Sequence, residues 1–229
     1  SHWLQYLYTI QALVKKYAEK PQKSDMQTLI DVRKKIVEFL TEANHLYNPV
    51  PGDLLDLINT SVMGIDESLL ALRSGVKKRS VVIKVPVLNA PVTYAFDWPI
   101  DDFEVTSEFG WRRSPKDGGR QFHDAIDLAA PRGTYVFAAA QGKVVFAGYK
   151  SRAGKSVIVE HPHGYRTFYA HLDDILAAEG MLVTAGSPIG TVGMTGYTTG
   201  PHLHFKITKK DQAVNPREFI GVEISADSR

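Results

Sequence analysis

The chain has 229 residues, of which 44% are hydrophobic and 23% charged, the composition of a soluble globular protein with length for one large domain or a medium domain and an appendage. Its 27 basic and 25 acidic residues are interspersed and leave a net charge of +2, so the basic stripe that nucleic-acid binding requires is missing apart from the short run Lys77-Lys78-Arg79. No apolar run approaches the roughly 20 residues of a membrane span, and the lack of cysteine excludes disulfides, thiolate ligands and a cysteine nucleophile, leaving nitrogen and oxygen to hold any metal.

The first 75 or so residues predict three helices. Leu4, Leu7, Ile10, Val14 and Tyr17 share one face of the first. Asp25 stands where an N-cap would open the second, whose Leu29, Val32, Ile36, Val37 and Leu40 keep helical spacing. Pro49, Pro51 and Gly52 then break the chain before a third helix from about Leu54 to Leu72. These apolar stripes predict mutual packing in a small module at residues 1–80, with partner docking or a lid over the region C-terminal to it as the sharper alternatives. The chain opens on Ser1-His2 with a helical pattern already under way, so an export signal or anchor is expected to precede it.

Residues 81–100 change character. Val81-Val82-Ile83-Lys84-Val85 and Val92-Thr93-Tyr94-Ala95-Phe96, punctuated by Pro86, Pro91 and Pro99, predict an extended linker able to lend a strand to the β-rich region C-terminal to it. From residue 101 to about 222 short β-rich runs separated by glycines predict a compact antiparallel sheet: Tyr135 to Ala139, Lys143 to Ala147, Ser156 to Glu160, Tyr165 to Ala170 and Leu203 to Thr208. Residues 223–229 are left as a tail. The predicted class is therefore α+β, a helical module succeeded by a mainly antiparallel β domain.

The chemistry lies in the histidines. His202 and His204 alternate along a strand and project from one face. His123 and Asp127 stand four apart, a spacing that suits one face of a strand or of a helix, although Pro131 and Gly133 close behind favour strand or loop. His171 ends a strand-like run. His161 and His163 flank Pro162 ahead of Gly164 and are read as exposed turn residues. Two imidazoles and a carboxylate suit zinc, with a fourth tetrahedral position left for water. They also match the facial triad of a non-haem iron oxygenase, although no basic anchor for a 2-oxoacid is evident. No His-Glu-x-x-His helix supplies a glutamate base, so imidazoles are the nearest candidates for proton transfer.

Phe109-Gly110-Trp111-Arg112 with Pro115, His123-x-x-x-Asp127, Gly133-Thr134, Tyr169-Ala170-His171-Leu172, and Thr195-Gly196 through Thr199-Gly200-Pro201-His202-Leu203-His204-Phe205 recur in order and spacing. On these motifs residues of about 103 to 220 resemble the lysostaphin/LytM-type zinc metalloendopeptidases of peptidoglycan. The resemblance implies zinc on His123, Asp127 and His204, with His171 and His202 in proton transfer and oxyanion stabilisation. It further implies an open groove, cleavage of a peptide bond in the wall stem or cross-bridge, and a site of action outside the cytoplasm. Relatives of this fold also include non-catalytic modules that regulate other wall hydrolases, a role in which the helical module would meet a protein partner or the domain itself. Two positions depart from the family pattern: Ala125 stands where glycine is common, and Lys206 where an acidic residue is.

Overall fold

The computed structural model describes residues 25–47, 50, 52–74, 94–114 and 118–225. The first predicted helix, the basic run at 77–79 and Val81 to Val85 lie outside the described residues. Two helices come first, α1 (Met26–Tyr47) and α2 (Gly52–Ser74), and Asp25 directly precedes α1. Gly52, expected as part of the break, is the first residue of α2. Among the described residues no helix is long and apolar enough to cross a membrane.

Among the described residues fourteen strands come next: β1 (Tyr94–Ala95), β2 (Glu104–Ser107), β3 (Gly110–Arg113), β4 (Arg120–His123), β5 (Ile126–Ala129), β6 (Tyr135–Phe137), β7 (Gly142–Lys150), β8 (Gly154–His161), β9 (Tyr165–Ile175), β10 (Leu182–Val183), β11 (Pro188–Val192), β12 (Leu203–Lys209), β13 (Gln212–Val214) and β14 (Glu223–Ile224). The large sheet runs β10-β7-β8-β9-β12-β5-β2 with antiparallel neighbours throughout, and β11, β6 and β13 join beside it. Strands β3 and β4 form a separate hairpin. The α+β organisation is the one expected. Glu223–Ile224, placed in a tail by sequence, pairs with Tyr94–Ala95, because Ile224 is apolar and buries itself against the sheet domain.

The helices and the sheet share one apolar core. Leu29, Ile36, Val37, Leu40 and Ala43 of α1 and Ile58, Val62, Ile65 and Leu69 of α2 are buried on their common face. At one-turn spacing from Leu29 that face also carries Arg33, only 1% exposed, a position the apolar pattern did not flag. Arg33 Nε donates to Asp66 Oδ1 at 2.6 Å, and its Nη1 donates to the carbonyl of Leu176. Asn44 Nδ2 donates to the Glu179 carbonyl at 3.0 Å, and Leu182 N–H donates to Asn59 Oδ1 at 2.9 Å. The helices thus seat on the segment leading into β10, one edge of the sheet.

His161 corrects an expectation. The turn at Pro162–Gly164 is present, with His163 at φ 64°, but His161 ends β8 and is 2% exposed. Its Nδ1–H donates to the Gln141 carbonyl at 2.7 Å and its Nε2 accepts from Thr167 Oγ1 at 2.7 Å. Both ring nitrogens are satisfied, so the imidazole is buried neutral, and burial pushes its pKa down to about 4.

Candidate metal centre

Register builds the site. In the β12/β5 pairing His204 stands directly opposite Asp127, and His202, bridged to Gly193 just ahead of β12, is two residues away and falls on the same side by alternation. His123 ends β4 and Asp127 lies in β5, with Asp124 and Ala125 turning the chain between them, so the four-residue spacing spans two strands. The β3–β4 hairpin swings His123 inward: β2 ends at Ser107, and Gly110, at φ 122°, starts the hairpin opposite His123 in a conformation costly for any side chain. Ala125 is not in the left-handed region, so its buried methyl group introduces no backbone strain.

Three donor atoms converge. His123 Nε2 lies 3.2 Å from Asp127 Oδ1, His204 Nδ1 lies 2.8 Å from the same oxygen, and the two imidazole nitrogens are 3.4 Å apart. His123, Asp127 and His204 form a group able to hold a metal ion, with one ligand atom from each within 4.8 Å of the others. His123 Nδ1 is 2.9 Å from the Glu108 carbonyl, which only accepts, so Nδ1 carries a proton and Nε2 is the atom turned toward the carboxylate, a donor when the ring is protonated and a lone pair when it is neutral. The donor set of two imidazole nitrogens and one carboxylate oxygen, with a backbone carbonyl orienting one ring from behind, fits zinc.

Electrostatics agree. Burial pushes the Asp127 carboxyl up, but hydrogen bonding and positive charge from His123 and His204 outweigh it and hold the group well below the usual carboxylate range. Asp127 therefore stays ionised. Lys206, at the position where an acid was expected, reaches Asp124 Oδ2 at 2.9 Å and offsets the second carboxylate of the groove.

His171 and His202 stand beside the trio, their ring centroids 4.9 Å apart, with His171 5.7 Å from His204. His171 Nδ1–H donates to the Thr195 carbonyl and His202 Nδ1–H to the Gly200 carbonyl, each at 2.8 Å, so both Nε2 atoms are left as acceptors. His202 Nε2 is 3.8 Å from Asp127 Oδ1. Burial, ahead of the repulsion from His202 and His204, lowers the His171 pKa to about 4. The His171 backbone is at φ 62° within β9, strain that the surrounding ladder sustains and that turns the ring toward the groove.

The wall behind these rings is tied to the turn at Ser151–Ala153. Gly196 approaches so closely that a Cβ there would lie 2.4 Å from Gly154 N. Tyr197 N–H donates to the Arg152 carbonyl at 2.7 Å, and Thr195 Oγ1 accepts from Lys155 N–H and donates to the Leu172 carbonyl. The groove, about 400 Å³, is lined by His123, Asp127, His171, His202 and His204 together with Arg112, Phe122, Arg152 and Tyr197, and by no described residue of either helix. All five residues singled out by sequence thus meet here. The carbonyls of Glu108, Thr195 and Gly200 were missed, because backbone groups leave no signature in a sequence; Arg112 and Thr195 stood inside the recognised motifs without an assigned role.

Residues 121–216 match the model of Peptidase family M23. The chain is 43% identical over 118 residues to a DD-carboxypeptidase/endopeptidase, Mpg, of Neisseria meningitidis serogroup B, covering 52% of this chain and 27% of that protein. It is 38% identical over 133 residues to the murein hydrolase activator NlpD of Salmonella dublin, covering 58% and 33%. Among solved structures it is similar to a zinc-containing peptidase from Vibrio cholerae, at 37% identity and a TM-score of 0.51, covering 53% of this chain and 39% of that one. The chain spans about a quarter to a third of the length of these curated relatives. Residues 121–216 thus match Peptidase family M23, and the motifs and sheet register of the β-rich part agree with that match.

Proposed function

We propose that the domain is a zinc-dependent endopeptidase that hydrolyses peptide bonds of bacterial peptidoglycan outside the cytoplasm. The observation that carries this reading is the convergence of His123 Nε2, Asp127 Oδ1 and His204 Nδ1, with two further imidazoles presenting free Nε2 atoms beside them. An intact trio favours catalysis over a purely structural use of the fold. Bound there, zinc supplies Lewis acidity toward a scissile carbonyl and acidifies water.

The chain's own residues supply the remainder. His171 and His202 are held by carbonyls at Nδ1, so each offers Nε2 as an acceptor for the proton of an attacking water. Once protonated, the same atom becomes a donor, either to the leaving amine or to the developing oxyanion. The open groove suits an extended peptide.

The similarity to an activator protein favours one second reading, in which the domain regulates another wall hydrolase and the helices meet its partner. Both readings are tested by incubating the purified chain with intact peptidoglycan and identifying released fragments by mass spectrometry. New peptide termini that vanish with chelator, return with zinc and are missing for His204→Ala support the enzyme. No cleavage by zinc-loaded chain, together with stimulation of a separate wall hydrolase, would transfer the assignment to the regulator.

A further inference from the structure

We propose that Arg112 is a positioning residue that decides which oxygen of Asp127 faces the ion, restricting this ligand to Oδ1. The inference rests on the zinc reading above. Oδ1 is the oxygen shared with His204 Nδ1 and His123 Nε2, whereas Oδ2 lies 3.6 Å from Arg112 Nη1. The same Nη1 donates to Ser107 Oγ at 2.5 Å, and that hydroxyl is 3.3 Å from His123 Nδ1. One guanidinium therefore bears on both ligands contributed by the first half of the domain.

Its position carries a local cost. Arg112 Nε is buried without a hydrogen-bond partner, although the side chain as a whole is 26% exposed and borders the groove. An unsatisfied buried donor costs about 1–3 kcal/mol. A side chain with access to groove water would relieve that cost by swinging outward, and here Asp127 and Ser107 hold it in place. Local topology enforces the arrangement: Ser107 is the β-pairing partner of Asp127, and the glycine turn at Gly110 returns the chain so that Arg112 comes back over that pair.

The consequence is coordinative. A carboxylate free to rotate turns both oxygens to an ion and takes up the position that substrate and water need. Arg112 occupies Oδ2 and prevents this. Charge alone predicts the opposite behaviour, because a guanidinium near a dication repels it, so removing Arg112 would tighten metal binding. Positioning predicts weaker binding, and the two accounts differ in sign.

The test uses the whole chain, with zinc affinity read by competition against a chromophoric chelator and geometry read from the visible absorption of the cobalt(II)-substituted protein. Arg112→Gln should weaken zinc binding about 10- to 100-fold, the range for loss of an outer-shell partner, and should dim the cobalt bands as coordination number rises. Arg112→Lys should recover part of the affinity, since an ammonium reaches Oδ2 without also holding Ser107. Should Arg112→Gln fail to fold, Ser107→Ala carries the same expectation at about tenfold. Unchanged or tighter zinc binding with an unaltered cobalt spectrum in a folded variant overturns the proposal alone. Failure of the wild-type chain to bind either metal overturns the zinc reading with it.

Discussion

Two buried carboxylates, Asp66 beneath the helices and Asp127 in the groove, are compensated in different ways. Asp66 meets a fixed cation, Arg33, which donates to both Asp66 oxygens and to the Leu176 carbonyl, and both side chains are 1% exposed. Asp127 meets imidazoles whose charge depends on protons or on an ion, at the floor of an open groove. The first arrangement is complete and holds elements together. The second is completed from outside, and that difference separates a structural ion pair from a chemical site.

The comparison is broken most severely at the two imidazoles beside the trio. His171→Ala and His202→Ala should each reduce kcat for peptidoglycan cleavage by about 10²–10⁴-fold, the usual worth of a general acid or base, while zinc affinity stays near the wild-type value. Retention of full kcat by either variant would remove that residue from the mechanism.

Removing one half of the closed pair should harm stability in place of chemistry. Asp66→Ala leaves Arg33 buried and uncompensated and should destabilise the chain by about 3–5 kcal/mol in denaturant unfolding, whereas the double change Arg33→Met with Asp66→Leu should recover most of that loss. No such apolar exchange should restore an Asp127 variant if, as proposed, its carboxylate meets an ion. A double variant as unstable as the single one would show that the pair does more than cancel its own charges.

The smallest effect belongs to His161, a buried imidazole that serves neither arrangement. Its pKa falls from 6.5 unfolded to about 4 folded, so the unfolded chain takes up the proton first as pH drops. The stabilisation is fully present above pH 6.5 and declines as pH falls from 6.5 to about 4, by about 3 kcal/mol. Unfolding free energies measured across that range should fall more steeply for wild type than for His161→Gln. Parallel profiles would show that the proton is taken up without penalty.

Much of the site was legible in the chain because its residues obey strand periodicity. His202 and His204 share a face by alternation alone, and the order of the motifs around His123, Asp127 and His171 carried the family resemblance. His161 misled for the same reason: a Pro-Gly neighbourhood signals a turn, yet the residue before that turn still belongs to β8 and keeps its inward alternation. Arg33 escaped notice because a charged residue on an apolar helix face reads as an interruption until its partner, 33 positions later, is brought beside it.

Local sequence thus determined the residue types able to bind a metal, the strands that carry them and the glycines at which the chain can turn, since each depends on neighbours a few positions away. Tertiary structure alone decided that His204 faces Asp127 across 77 residues, which carbonyls the imidazoles meet, and which Asp127 oxygen lies nearest Arg112. Those are matters of strand register and close packing between distant segments, where a shift of one residue would turn every ligand to the opposite face.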